Sequence, residues 1–244
     1  FTPKECYPEA YHKIMREYLN DRAFIEPEFQ DYMKLMNSRG VTTVKEMGFD
    51  DFYGFTDFLK EQEEKDNLTL RFFFMSQPVG EGANIEYGRQ MTEKFTGDFV
   101  RFSGYNRMTD GTVASTRGDL LEPYEGTDSC CGMEIDYPLI EKELMEVDKN
   151  GFRYSLHAQG DGAVHKVVEL YDKCRKENGR LVNRHAITDM EFSNPKDLEK
   201  MGALGVTGEI YFQIMSLDPG DEVKAAIEKT IGNERGRYYW NRRK

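Results

Sequence analysis

Leu156-His157-Ala158-Gln159-Gly160-Asp161-Gly162-Ala163-Val164 is the stretch whose reading decides the fold. An extended, alternating run (Phe152, Tyr154, Leu156) leads into it, and a helical run (Val164, Val167, Val168, Tyr171) leads out. Alternation marks a strand and a three-to-four spacing marks a helix. A histidine at the C-terminal end of a strand, followed by a Gly-Asp turn into a helix, is where α/β enzymes place their chemistry.

The same rhythm extends in both directions. Phe29, Tyr32, Met33 and Met36 share one helix face over Glu28 to Ser38, and Gly40 ends it. Expected strands follow at Val41 to Met47, Leu68 to Met75, Phe99 to Tyr105, Phe152 to His157, Leu181 to Ile187 and Val206 to Phe212. Helices are expected between them at Phe55 to Lys65, Ile85 to Phe95, Tyr137 to Lys149, Ala163 to Lys176 and after Asn194-Pro195, with a last one at Glu222 to Ile231. A long loop, Thr109 to Asp136, interrupts the rhythm, and loops of that length are functional or flexible. No GxGxxG follows the first strand and no P-loop occurs, which removes the main cue for a doubly wound nucleotide fold. About six β-α units with polar strand ends predict a partial TIM-type (β/α) barrel, α/β in class, two strands short of closure.

Composition narrows the function classes. The 244 residues suffice for one barrel domain. The net charge of −11, with no basic stripe interleaved with aromatics, argues against nucleic acid. No apolar run approaches the ~20 residues of a membrane span. Cys6, Cys130, Cys131 and Cys174 are too few and too irregular for a disulfide framework, so a reduced, cytoplasmic protein is expected.

At a barrel mouth the strand ends would gather Lys45 or Glu46, Gln77, Asn106, Asp110, His157, Asp161, His185 and Gln213. Histidine and aspartate at such places serve as metal ligands or as general acids and bases. Each also has an ordinary structural reading. Asp161 suits a helix start, Asp110-Gly111 a turn, and either histidine a satisfied core position.

Several segments, taken in order, resemble the metal-dependent amidohydrolases, and within them the group containing N-substituted formamide deformylases. Gly40-Val41-Thr42-Thr43-Val44-Lys45-Glu46-Met47-Gly48 is similar to the second-strand signature. Asp110-Gly111 with Leu120-Leu121-Glu122-Pro123-Tyr124 resembles the fourth-strand loop. Residues 156–164 resemble the fifth-strand signature, and Arg184-His185-Ala186 the sixth. The resemblance implies a (β/α)₈ barrel with one or two divalent metals, zinc among them, that activate water for attack on an amide or related C–N carbon. It implies His157 and His185 as metal ligands, while Asn106 and Asp110, polar residues at the mouth, are the expected substrate-binding residues. It also implies a His-x-His on strand one, a lysine or acid on strand four and an aspartate on strand eight. The chain has no His-x-His, and Asn106 stands where the lysine would be.

Two explanations are open: residues 1–244 are a fragment of a longer amidohydrolase-like chain, or a short paralogue that lost catalysis. Either predicts an inactive or incomplete hydrolase centre, with a non-catalytic small-molecule binding or assembly module as the alternative. A six-stranded sheet with two open edges further predicts a homo-oligomer.

Overall fold

Alternating apolar runs and amphipathic stretches produce a β-α succession in the computed structural model, which describes residues 8–47, 54–77, 82–210 and 220–239. Two helices open it, α1 (Pro8–Asn20) and α2 (Arg22–Ser38), followed by β1 (Thr43–Glu46), α3 (Phe55–Glu64), β2 (Arg71–Ser76), α4 (Ile85–Lys94) and β3 (Val100–Met108). A 3₁₀ turn at Val113–Ser115 lies within the long loop. Then come α5 (Tyr137–Lys149), β4 (Tyr154–Ala158), α6 (Asp161–Asn178), β5 (Ala186–Asp189), α7 (Pro195–Leu204), β6 (Thr207–Glu209), α8 (Gly220–Ile231) and α9 (Asn233–Tyr239). The six strands run in the order β1-β2-β3-β4-β5-β6. The pairings of β1 with β2 and from β3 through β6 are parallel. Sequential parallel strands joined by helices are the topology of a partial TIM-type (β/α) barrel.

The chain divides into two compact units, residues 1–104 and 105–244. The first is held by an aromatic core. Phe29, Met33, Phe58, Leu59, Leu70, Phe72, Phe74 and Phe95 are buried together. Phe29 meets Phe58 edge-on at 5.1 Å, and Phe74 meets Phe95 edge-on at 5.0 Å, the geometry that the ring quadrupoles favour. Asp21 caps α2 by accepting from Phe24 N. That helix begins six residues before the expected Glu28 and runs through Pro27, and α1, the helical stretch around His12, had no expected bounds. The Glu63 carboxylate accepts from Phe99 N and Val100 N, satisfying the backbone where β3 begins.

In the second unit β4 is buried at all five positions, as a central parallel strand must be. Its register puts Asn106 beside Ser155, Met108 beside His157, Ser155 beside Ala186 and His157 beside Thr188. Behind the sheet, Arg107 pairs with Glu143 of α5 at 2.8 Å, and Tyr154 Oη donates to the same carboxylate at 2.6 Å. Burial together with the neighbouring Glu143 carboxylate pushes the Tyr154 hydroxyl well above its ordinary range, so it stays a donor. α5 matches its expected bounds. The strand expected at 181–187 starts five residues late, at Ala186, and this shift decides the fate of His185. The expected last strand, Val206 to Phe212, is seen over Thr207–Glu209, and its end from residue 211 lies outside the described residues. No helix among the described residues is long and apolar enough to cross a membrane.

Removing the Glu143 carboxylate would break the ion pair with Arg107 and take the acceptor from Tyr154 Oη. Glu143→Ala should lower the unfolding free energy by roughly 3–5 kcal/mol and Tyr154→Phe by only about 1 kcal/mol, measured by urea denaturation. Equal losses would show that the ion pair does not anchor α5.

Candidate functional site

The exit ends of β3, β4 and β5 gather one polar cluster around His157. Asp110, two residues beyond β3, has a fully buried side chain. Its Oδ1 accepts from Gln159 N, and its Oδ2 accepts from Asp119 N and Gly160 N, each at 2.9 Å. Three backbone donors on one carboxylate offset the cost of burying it. Asp110 is thereby the hub that folds the segment from residue 109 to 136, a strap laid over the start of α6. Gln159 Oε1 accepts from Val113 N in the same strap. Asp119 accepts from Tyr137 Oη and from Lys166 Nζ. Asp161 Oδ1 accepts from Leu121 N, and burial raises the Asp161 carboxyl to about 6 against the opposing pull of that bond.

The two glycines of the opening stretch follow from this contact. A Cβ on Gly160 would stand 2.1 Å from the Asp119 carbonyl oxygen, and one on Gly162 would stand 2.7 Å from the Leu120 carbonyl carbon. Their purpose here is close backbone approach. The backbone at the start of α6 is already in use, since Ala163 N donates to Asp119 O.

His157 sits between two carboxylates. Its Nε2 is 2.6 Å from Asp189 Oδ2, and its Nδ1 is 3.5 Å from Asp110 Oδ1, beyond hydrogen-bond geometry. Burial works against the charged imidazole, but Asp110 and Asp189 together outweigh it and raise His157 to about 9. The two carboxylates thus favour the charged imidazole. Asp189, which the sequence reading missed, reaches the ring from a left-handed backbone (φ +72°) at the end of β5, followed by Met190 at φ +39°. Its signal would have been its place as the last residue of a strand, had β5 been given its observed bounds.

His185 is not at this site. The pairing of Ser155 with Ala186 puts His185 level with Tyr154, at the entry end of the sheet. It is three positions, or roughly 10 Å along the strand, from the level of His157. It faces the helices. Its Nδ1 accepts from Tyr154 N, its Nε2 is 2.8 Å from Asp148 Oδ1, and its ring stacks on Tyr171. Asp148 also accepts from Asn178 and Asn183, and these bonds with His185 overcome burial to hold it at about 2. The expected His157–His185 ligand pair does not form, because β5 begins where it was expected to end.

Asn106 is on β3 and faces the same side of the sheet as Ser155 and His157. Asn106 Oδ1 and Thr109 Oγ1 are buried without a hydrogen-bond partner. Lys45 and Glu46 end β1 in the other unit, where burial raises the Glu46 carboxyl, and Gln77 follows β2. Gln213 lies outside the described residues.

The amidohydrolase family model matches residues 9–244. The chain belongs to that family. It is 24% identical over 213 residues to Protein LONG AFTER FAR-RED 3 of Arabidopsis thaliana, a match covering 81% of this chain and 34% of that protein. It is 28% identical over 92 residues to Putative amidohydrolase YtcJ of Bacillus subtilis (strain 168), covering 37% of this chain and 17% of that one. Its fold is similar to that of an uncharacterized metal-dependent hydrolase from Pyrococcus furiosus, with a TM-score of 0.67 at 18% identity, covering 92% of this chain and 45% of that one. The chain thus spans less than half the length of each.

The residues described do not fit the metal that such a family implies. Zinc needs three or four strong donors around one point, and among the described residues no group of three His, Cys, Asp or Glu side chains meets that need. Asp110 and Asp189 lie against different nitrogens of the one ring, and both nitrogens of His185 are engaged elsewhere.

The raised His157 stabilises the fold below pH 6.5 and loses that contribution as pH climbs through about 9. Urea denaturation should show stability falling over that window by on the order of 3 kcal/mol more in the wild type than in His157→Asn. Parallel curves for the two proteins would refute the ion-paired imidazolium.

Proposed function

We propose that this chain is an amidohydrolase-type barrel domain related to metal-dependent hydrolases of C–N bonds, in which the centre formed by its own residues is inactive or incomplete. The observation that carries this reading is the clamping of His157 between Asp110 and Asp189. A metal-dependent hydrolase needs neutral imidazole ligands and an activated water. Here the fifth-strand histidine is engaged by a carboxylate 2.6 Å from its Nε2, and the sixth-strand candidate serves the entry end of the sheet. Within the family the motifs at 40–48, 120–124 and 156–164 favour the group resembling N-substituted formamide deformylases. We treat residues 1–244 as one such domain, on the strength of the family match across residues 9–244.

Purified chain should contain less than one tightly bound zinc by metal analysis and should show no turnover of simple formamides or amides. Stoichiometric zinc, or amide hydrolysis abolished in His157→Ala, would overturn the reading.

A second reading is a non-catalytic module that binds a small molecule. The unmet Asn106 Oδ1 and Thr109 Oγ1 favour it, since an unsatisfied buried acceptor costs about 1–3 kcal/mol that a ligand N–H would relieve. Thermal stabilisation by a small amide, unaffected by chelator and lost in Asn106→Leu, would distinguish it.

Assembly forms part of the proposal. Among the described residues β1 and β6 each have one strand neighbour, and open edges invite pairing with another chain. Sedimentation velocity should give a mass above the 28.4 kDa of one chain, and a stable monomer would contradict this. The thiols of Cys130, Cys131 and Cys174 are free, which supports a reducing, cytoplasmic setting.

A further inference from the structure

A divalent metal does mechanical as well as chemical work, because its ligands come from separate strand ends and the ion ties them together. In this chain the same strand ends are tied by other means. Asp189 from the end of β5 meets His157 Nε2 at 2.6 Å. Across the ring, 3.5 Å from Nδ1, lies Asp110, whose hydrogen bonds come from Gln159, Gly160 and Asp119 and so fasten the strap. The backbone is bent to allow it. Asp189 and Met190 both have positive φ, and Met190 N donates to both Ala158 O and Thr188 O, bridging β4 and β5 where the carboxylate turns toward the ring.

We propose that the Asp110–His157–Asp189 cluster is a built-in replacement for a metal cross-link, joining β4, β5 and the strap through protein groups alone. It makes the folded mouth independent of divalent cations. A zinc ion could enter only by breaking it. Two donors each about 2.0–2.2 Å from a tetrahedral zinc stand roughly 3.3 Å apart with no proton between them, whereas Nε2 and Oδ2 are 2.6 Å apart. The inference rests on the reading of the centre as non-metallic, but it makes a separate claim about what holds the mouth together.

Thermal denaturation of the full chain tests it, run after EDTA treatment, with equimolar zinc, and on His157→Gln, Asp189→Asn and the double variant. The wild-type midpoint should be the same in EDTA and in zinc, within ~1 °C, since a ligand that does not bind the native state cannot stabilise it. Each single variant should melt several degrees lower. The double variant should melt no lower than the worse single, because both remove one shared interaction. Amide exchange at Asp119, Gln159 and Gly160 should quicken in His157→Gln.

Zinc raising the wild-type midpoint by several degrees, with the gain absent in His157→Gln, would overturn the proposal. So would additive single effects. If the variants fail to fold, the wild-type comparison of EDTA with zinc still decides. Additive effects without any response to zinc would sink this inference and leave the proposed function standing. Amide turnover by a protein whose melting ignores zinc would do the reverse.

Discussion

A carboxylate buried away from water must be satisfied or it cannot stay charged. Asp110 meets that demand with three backbone N–H groups and a nearby imidazolium, and much of the mouth follows from it. The donors belong to Asp119, Gln159 and Gly160, so one carboxylate draws the strap onto the residues after β4. The approach is close enough that positions 160 and 162 have no room for a Cβ. Farther along, the strap is fastened by Leu120, Tyr124 and Val113 packing with Phe192, Ile227 and Ile231, and by Arg235 donating to Glu122 O and Pro123 O. Without Asp110, the first turns of that loop would lose their common partner.

The sheet has a histidine–aspartate contact at each end, and the two differ in kind. At the entry end, His185 accepts from a backbone N–H on one nitrogen and meets Asp148 with the other, while stacking on Tyr171. Every polar atom of that ring has a partner of matching type, and the whole network is packed between α5, α6 and β5. At the exit end, His157 faces carboxylates on both sides, so it balances charge as well as making contact. Residue type alone cannot separate a structural pin from a charge-bearing cluster, because both use the same two side chains.

That limit explains what could be read from the sequence. The alternation of strands and helices was legible because each element carries a strong period. α5 is legible to the residue because Ile140, Leu144 and Val147 form a clean apolar face and Gly151 follows it. His157 at the end of β4 was legible for the same reason. The segment before β5 was not. Leu181 and Val182 are apolar yet lie in a loop, and Val182 is exposed, so a period-two pattern was read where the chain is irregular. A strand start misplaced by five residues moves a side chain to the other end of the sheet. It put His185 in the place that Asp189 occupies. The role of Asp110 was hidden differently, since the Asp-Gly pair points to a turn but not to the backbone donors arriving from residues 159 and 160.

Asp189 shows how local strain and site chemistry fit together. Left-handed backbone is disfavoured for residues with a side chain, and aspartate is among the few that tolerate it. A larger β-branched residue there would resist the turn, and a glycine would accept it without supplying a carboxylate. Aspartate therefore answers two constraints at once: it allows the reversal after β5, and it places an oxygen 2.6 Å from His157. An asparagine would keep the turn but not the charge. The balance at the mouth is then one imidazolium against two carboxylates, of which Asp110 is neutralised largely by backbone dipoles. This leaves Asp189 as the principal counter-charge of His157. With its Nε2 held by that carboxylate, the histidine acts as a fastening within the protein.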